Sequence, residues 1–215
     1  MISGMLKWVD SKPYTRNLVP NDSTYWEVQR KIGGVEFRYW NPEKSKLAAF
    51  LMKKGKNFPF KLNSTILYLG AASGTTVSHI SDICQDGRIF AVEVAKNPFR
   101  ELLNLAEKRP NIVPILEDAN EPDIYSRLVG QVDIMYQDIA QRNQTDIFIK
   151  NTFMLKPGGT GYLMVKSRCI DVSASPTKIF NDCRLELEGA GFKILEMVRL
   201  EPHEKDHMAI VIEKS

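Results

Sequence analysis

Lys46, Asp138, Lys166 and His207 are scattered along this 215-residue chain, yet together they hold the groups needed to take a proton from a poor nucleophile. An alcohol hydroxyl attacks an electrophile only when it is aligned and relieved of its proton. A lysine kept from charging by burial and by a neighbouring cation can accept that proton, while a carboxylate holds the two amines in register. Lys166 is the expected acceptor, Asp138 its orienting group, Lys46 an electrostatic tuner, and His207 the residue that completes the hydrogen-bond network. Each has an ordinary alternative. Lys46 stands near Lys44, Lys53, Lys54 and Lys56 and reads also as a solvated surface residue, and His207 reads also as a turn histidine. His79 and His203 are weaker candidates, because neither falls at a strand end.

The elements that must bring these four together follow from hydrophobic patterning. From residue 65 onward, short apolar runs at 66–69, 89–92, 112–115, 132–135 and 162–165 alternate with helix-length segments. That alternation predicts a parallel, doubly wound α/β sheet. Asp138 and Lys166 then lie at the carboxyl ends of the fourth and fifth strands, where such sheets bind ligands. Residues 192–200 and 208–212 are strand-like runs joined by a polar segment too short for a helix, so they form an antiparallel pair at the sheet's edge, with His207 at the start of the last strand. Nicotinamide-binding folds end in helix-linked parallel strands, whereas class I methyltransferases end in such a hairpin, and the ending favours the second. Before residue 65, the turn formers Pro13, Pro20, Asn21-Asp22 and Gly33-Gly34 separate strand-like pieces at 25–28 and 35–38, which predicts a small β-rich module. Asn41-Pro42 opens an amphipathic helix through about Met52 that carries Lys46. The expected division is 1–55 for the module and its linking helix and 56–215 for the catalytic domain.

The first strand runs into Gly70-Ala71-Ala72-Ser73-Gly74-Thr75-Thr76, where small residues let a ligand approach the backbone and the next helix offers free amide groups. Alone, such a turn serves a dinucleotide, S-adenosylmethionine or simple chain reversal. The following strand ends narrow the choice. Glu93-Val94 puts a carboxylate where it can accept from both hydroxyls of an adenosine ribose, Asp118-Ala119 can face an adenine edge, and Asp138-Ile139-Ala140-Gln141 closes the row. Agreement of successive strand ends points to an adenosyl cofactor.

With 43% hydrophobic residues the chain can bury one full α/β core plus a small module. A formal net charge of +3 permits RNA as a partner but is too mild for a free-standing RNA binder, so other subunits are expected to supply much of the grip. Cys84, Cys169 and Cys183 are odd in number and have no histidines at zinc-like spacing, so they read as reduced and structural, and no metal is expected. No run of 18 apolar residues and no targeting segment at 1–10 is apparent, which predicts a soluble intracellular protein away from membranes.

The strings from Arg38-Tyr39-Trp40-Asn41-Pro42-Glu43-Lys44-Ser45-Lys46-Leu47-Ala48-Ala49 through Leu67-Tyr68-Leu69-Gly70-Ala71-Ala72-Ser73-Gly74-Thr75-Thr76-Val77-Ser78-His79 to Asp206-His207 resemble the fibrillarin family, the methyltransferases of box C/D ribonucleoproteins. The resemblance implies a Rossmann-like class I methyltransferase domain, with a mostly parallel seven-stranded sheet and the antiparallel C-terminal hairpin. It also implies RNA ribose 2′-O-methylation in rRNA and tRNA processing. It implies S-adenosyl-L-methionine contacts at Gly70, Ala71, Thr75, Thr76, Glu93, Val94, Asp118, Ala119, Asp138, Ile139, Ala140 and Gln141, and a catalytic set of Lys46, Asp138, Lys166 and His207. Its implied partners are a box C/D guide RNA, substrate rRNA or tRNA, a Nop-domain scaffold protein and a kink-turn-binding ribosomal-type protein. The sequence departs from the family at Gln137, where serine commonly precedes the aspartate, and at Arg142, where proline is frequent. Without a Gly/Arg-rich leader it looks like the compact archaeal form, which implies a cytoplasmic protein. A stand-alone methyltransferase for small molecules or tRNA, a silent cofactor-binding subunit and a nicotinamide-dependent oxidoreductase remain alternatives. Calorimetry separates the last of these: S-adenosylmethionine is expected to bind and NAD not, and tight NAD binding without S-adenosylmethionine binding would reverse the assignment.

Overall fold

Short alternating segments separated by tight turns build the first sheet. The computed structural model describes residues 4–22 and 25–215. Strands β1 (Leu6–Val9), β2 (Lys12–Arg16), β3 (Gln29–Ile32) and β4 (Val35–Tyr39) pair antiparallel in the order β1-β2-β4-β3. The segment 25–28 is not a strand, contrary to its apolar pattern. Tyr25 N donates to Glu27 Oε2, and Trp26 has φ near 60°, so the chain turns there and pairing begins at Gln29. The helix expected from Asn41 starts later, as α1 (Lys46–Met52). Asn41 instead folds a turn, its side chain accepting from Glu43 N, and Ser45 Oγ caps the helix by accepting from Ala48 N.

The alternating region then runs through β5 (Thr65–Leu69), α2 (Thr75–Ile83), β6 (Arg88–Glu93), α3 (Lys96–Lys108), β7 (Ile112–Leu116), α4 (Pro122–Val129), β8 (Val132–Gln137), α5 (Gln144–Asn151), β9 (Leu155–Lys166), α6 (Ser167–Ile170), α7 (Pro176–Gly189), β10 (Lys193–Arg199) and β11 (His207–Glu213). These strands form one seven-stranded sheet in the order β10-β11-β9-β8-β5-β6-β7, parallel from β9 to β7 and antiparallel where β11 joins β9 and β10. This is the class I methyltransferase arrangement expected from the sequence. Strand β9 is longer than its apolar run. Pro157, Gly158 and Gly159 precede that run, yet Gly158 N donates to Lys214 O and Lys214 N to Gly159 O, so the chain passes through an irregularity without leaving the sheet.

Strand alternation sorts the sheet's side chains into two cores. Ile66 and Tyr68, Ile134 and Tyr136, Tyr162 and Met164, and Ala209 and Val211 lie on the face covered by Leu47, Ala48 and Phe50 of α1. Leu67, Met135, Leu163, Val165 and Ile210 lie on the opposite face, with Phe180 and Leu187 of α7. The period of two carries Asp138, Lys166 and His207 to the α1 side. All of the candidate chemistry therefore emerges on one face.

A buried ionic cluster fastens the small sheet to α2 and α3. Asp82 Oδ2 accepts from Thr15 Oγ1 at 2.6 Å and from Arg38 Nη2 at 2.7 Å, and Oδ1 accepts from Arg109 Nη1 at 2.7 Å and Leu18 N at 3.0 Å. Arg38 also pairs with Glu27 at 2.9 Å. His79 stacks on Trp40 with ring centroids 5.2 Å apart, and its Nδ1 lies 2.8 Å from Thr15 Oγ1. Because Thr15 gives its hydroxyl proton to Asp82, His79 Nδ1 is the donor. Burial, reinforced by Arg38 and Arg109, holds the imidazole well below its ordinary pKa, so the ring is neutral. Asp82→Ala leaves two buried guanidinium groups without their shared anion and is expected to cost about 3–5 kcal/mol in chemical denaturation. A loss under about 1 kcal/mol would show that the cluster does not hold the module.

Candidate active site

The turn after β5 is shaped by backbone that only small residues allow. Gly70 has φ near 78°, and a Cβ there would stand 2.5 Å from Asp138 O, so this position admits no side chain without moving the end of β8. Ala72 lies at φ 48° and gives its N–H to Glu93 Oε2 at 2.8 Å, while Ala95 N donates to Glu93 Oε1 at 2.7 Å. Glu93 is thereby fixed at the end of β6 with lone pairs left for a ligand's hydroxyls. Asp118, beyond β7, accepts from Asn120 N at 2.8 Å, and Asn120 Nδ2 donates in turn to Gln141 Oε1 at 3.2 Å. These groups border a cleft of about 270 Å³ over the strand ends, lined by Gly70, Ala72, Val92, Glu93 and Val94. Glu117, Asp118, Ala119, Asp138, Ile139, Ala140, Gln141 and Lys166 complete it. Anchored carboxylates beside small apolar surfaces suit an adenosyl sulfonium: the Glu93 carboxylate has lone pairs to accept from ribose hydroxyls, and Val94, Ala119 and Ile139 offer apolar surface of the kind a base packs on.

At the cleft's end Asp138 stands between two amines. Its Oδ2 is 3.1 Å from Lys46 Nζ and its Oδ1 3.0 Å from Lys166 Nζ, with the three side chains 13–19% exposed. Burial works to raise the Asp138 pKa, but the two ammonium groups outweigh it and hold the carboxyl below its ordinary value. Asp138 is therefore an anion and a weak base, suited to orienting its neighbours. Gln144, fully buried, fixes the spacing: its Nε2 donates to Gln141 O and Lys166 O, and its Oε1 accepts from Lys166 N at 2.9 Å. Lys46 is placed by the cap of α1, because Ser45 Oγ also accepts from Trp40 Nε1 and Thr76 Oγ1, both at 2.9 Å. His207 is paired in register with Lys166 across β11 and β9, and its Nδ1 lies 2.6 Å from Lys205 O.

The fibrillarin family model matches residues 5–215. The chain belongs to the fibrillarin family. A fibrillarin-like rRNA/tRNA 2′-O-methyltransferase of Methanocaldococcus jannaschii is 48% identical over 198 residues, 92% of this chain and 86% of the relative. Aeropyrum pernix fibrillarin, solved with natively bound S-adenosyl-L-methionine, superposes with a TM-score of 0.87 at 42% identity, covering 94% of this chain and 88% of that one. A chain from a solved fibrillarin/Nop5p complex gives 0.89 at 40% identity, covering 98% of each.

Against the residues the fibrillarin resemblance implies, the structure gathers Gly70, Glu93, Val94, Asp118, Ala119, Asp138, Ile139, Ala140 and Gln141 around one cleft and brings Lys46 and Lys166 onto Asp138. Ala71, Thr75 and Thr76 do not line it. Ala71 is buried, its N–H spent on Val92 O. The Thr76 hydroxyl faces Ser45, and Thr75 lines a separate cavity with Tyr25, Trp40 and His79. His207 makes no contact with Asp138 among the described residues. Residues the sequence did not single out include Ala72 and Glu117, which sit inside or beside quoted motifs, and Gln144 and Ser45, whose roles arise only from packing. Tyr25 was also unexpected as a site neighbour: its phenol donates to Ser73 O in the cofactor turn, and burial pushes it up to about 12. Gly70→Ala is expected to weaken S-adenosylmethionine binding at least tenfold by calorimetry while the protein stays folded by circular dichroism. Unchanged affinity would move the cofactor away from this turn.

Proposed function

We propose that this chain methylates the 2′-oxygen of ribose in rRNA and tRNA, as the S-adenosylmethionine-dependent subunit of a box C/D guide RNA particle in the cytoplasm. One observation carries the reading: the cleft suited to an adenosyl group opens directly onto Asp138 and Lys166, so cofactor and proton acceptor share a wall. When bound, S-adenosylmethionine supplies a methyl carbon on sulfonium sulfur, and the bond to sulfur breaks with its electrons left on sulfur. The chain's own residues align and deprotonate the hydroxyl. Asp138 holds Lys46 and Lys166 on either side of the approach, Lys166 takes the proton from the hydroxyl, and Lys46 steadies the developing oxyanion. Family membership, the names of the relatives and the matched structure with bound S-adenosylmethionine support the activity.

The matched fibrillarin/Nop5p complex supports a Nop-domain scaffold as partner. A guide RNA selects the target and a kink-turn protein completes the particle, in keeping with the mild net charge of +3. The module at 1–55 carries a protein interface in this reading, and 56–215 the chemistry, with Lys46 reaching across. Of the module's aromatics, Tyr14 is core, whereas Trp8 and Trp26 are 51% and 92% exposed and free to dock. No helix among the described residues is long and apolar enough to cross a membrane.

The test is methyl transfer from labelled S-adenosylmethionine to an RNA paired with a box C/D guide, with and without scaffold and kink-turn proteins. Transfer only in the full assembly, abolished by a 2′-deoxy target, is expected. Lys166→Ala is expected to keep cofactor affinity and lose at least a hundredfold in rate. Transfer without the guide would favour a stand-alone enzyme, and near-normal turnover by Lys166→Ala would remove it as proton acceptor.

A further inference from the structure

Asp138 is one carboxylate facing two amines, and a second carboxylate lies within ion-pair range of one of them. That carboxylate is Glu204. Its Oε1 lies 3.9 Å from Lys46 Nζ and its Oε2 4.0 Å from His207 Nδ1, with the side chain 22% exposed. The connection that carries it is tied down at several points. His203 N and Glu204 N donate to Leu200 O at 3.0 and 3.1 Å. Asp206 N donates to Glu201 Oε1 at 3.2 Å, and Asp206 O accepts from both Ser167 N and Ser167 Oγ. Glu204 is thus presented from a fixed backbone and not from a free loop. Lys205 O, 2.6 Å from His207 Nδ1, can only accept, so Nδ1 carries a proton and a neutral ring keeps its lone pair on Nε2.

We infer that Glu204 is a positioning residue for methyl transfer, a second carboxylate that shares Lys46 with Asp138 and steadies the ring of His207. The inference rests on the proposed function and deepens it. Among the described residues Lys46 Nζ has two carboxylates in ion-pair range, Asp138 and Glu204, whereas Lys166 Nζ has Asp138 alone. Glu204 therefore breaks the symmetry between the two lysines. It gives Lys46 a second anchoring carboxylate and leaves Lys166 the less tightly held of the two amines. The charged and titratable groups facing this site are Asp138 after β8, Glu93, Glu117 and Asp118 along the cleft, Lys46 on α1, His207 on β11, Glu204 in the connection, and the buried Tyr68 and Tyr136 beneath Asp138.

The experiment is single-turnover methyl transfer by the assembled particle across a pH series, comparing the parent with Glu204→Gln and Glu204→Asp, alongside calorimetry of S-adenosylmethionine binding to each. Glu204→Gln is expected to bind the cofactor as the parent does and to keep the KM for RNA, while kcat falls roughly tenfold to a hundredfold. The acid limb of its rate profile is expected to move to lower pH, because removing an anion favours the neutral form of nearby amines. Glu204→Asp, which keeps the charge, is expected to recover part of the rate with the parent's acid limb. A parental rate in Glu204→Gln, or a reduced rate with an unmoved acid limb, would reduce Glu204 to loop support and overturn the inference. A parent particle that assembles and binds cofactor yet transfers no methyl overturns the proposed function instead, and the role of Glu204 with it.

Discussion

Asp138 is held as an anion between two lysine side chains that reach it from distant parts of the chain, and much of the architecture serves that arrangement. Lys46 comes from the first turn of α1 and Lys166 from the last residue of β9, 120 positions apart in the sequence. Such a pair stays together only if both backbones are rigid, because a partly buried carboxylate that loses a partner is costly. The cap of α1 answers for one side, with Ser45, Trp40 and Thr76 joined through a single hydroxyl. Gln144 answers for the other, by bonding the backbone of both Gln141 and Lys166. The cleft over the strand ends uses the same constraint, since Gly70 packs its backbone against the carbonyl of Asp138.

The small N-terminal sheet is fastened by a buried charge cluster as well as by apolar contact. Asp82, Arg38 and Arg109 are fully buried and mutually paired, with Glu27, Thr15 and His79 around them. A buried ionic cluster of this kind adds little net stability compared with apolar packing of equal volume, but it accepts very few geometries. The gain is in position. Trp40, whose indole holds the cap of α1, stacks on His79 within that cluster. Through this contact the location of the small sheet is transmitted to Lys46.

Patterning in the sequence was enough for the parallel strands, the terminal hairpin and the acidic strand ends, because burial on both faces and a fixed side-chain period leave little freedom in those segments. The failures have local causes. The segment 25–28 is apolar enough for a strand, but Tyr25 and Glu27 are committed to Ser73 and Arg38. The start of α1 was set too early, because Asn41-Pro42 resembles a helix entry while Ser45 supplies the actual cap. Thr75 and Thr76 share one motif, yet the Thr76 hydroxyl donates to Ser45 and Thr75 lines a cavity beside Tyr25 and His79, neighbours that spacing along the chain does not show. Gln144 and Glu204 carried no signal, since neither belongs to a motif that can be recognised without the fold. Distances across 22 or more residues decide their importance, and spacing along the chain does not encode them.

The position of β11 bears on when this site can exist. Residues 207–213 do not extend the sheet at its rim but slide between β9 and β10, pairing with both. Until that segment has left the ribosome, β9 lacks a neighbour on one side, β10 has nothing to pair with, and His207 is absent. By then the turn at 70–76, Glu93 and Asp118 have all been synthesised. Completion of the sheet therefore waits for the last strand, which gives β9 its second neighbour and β10 its first.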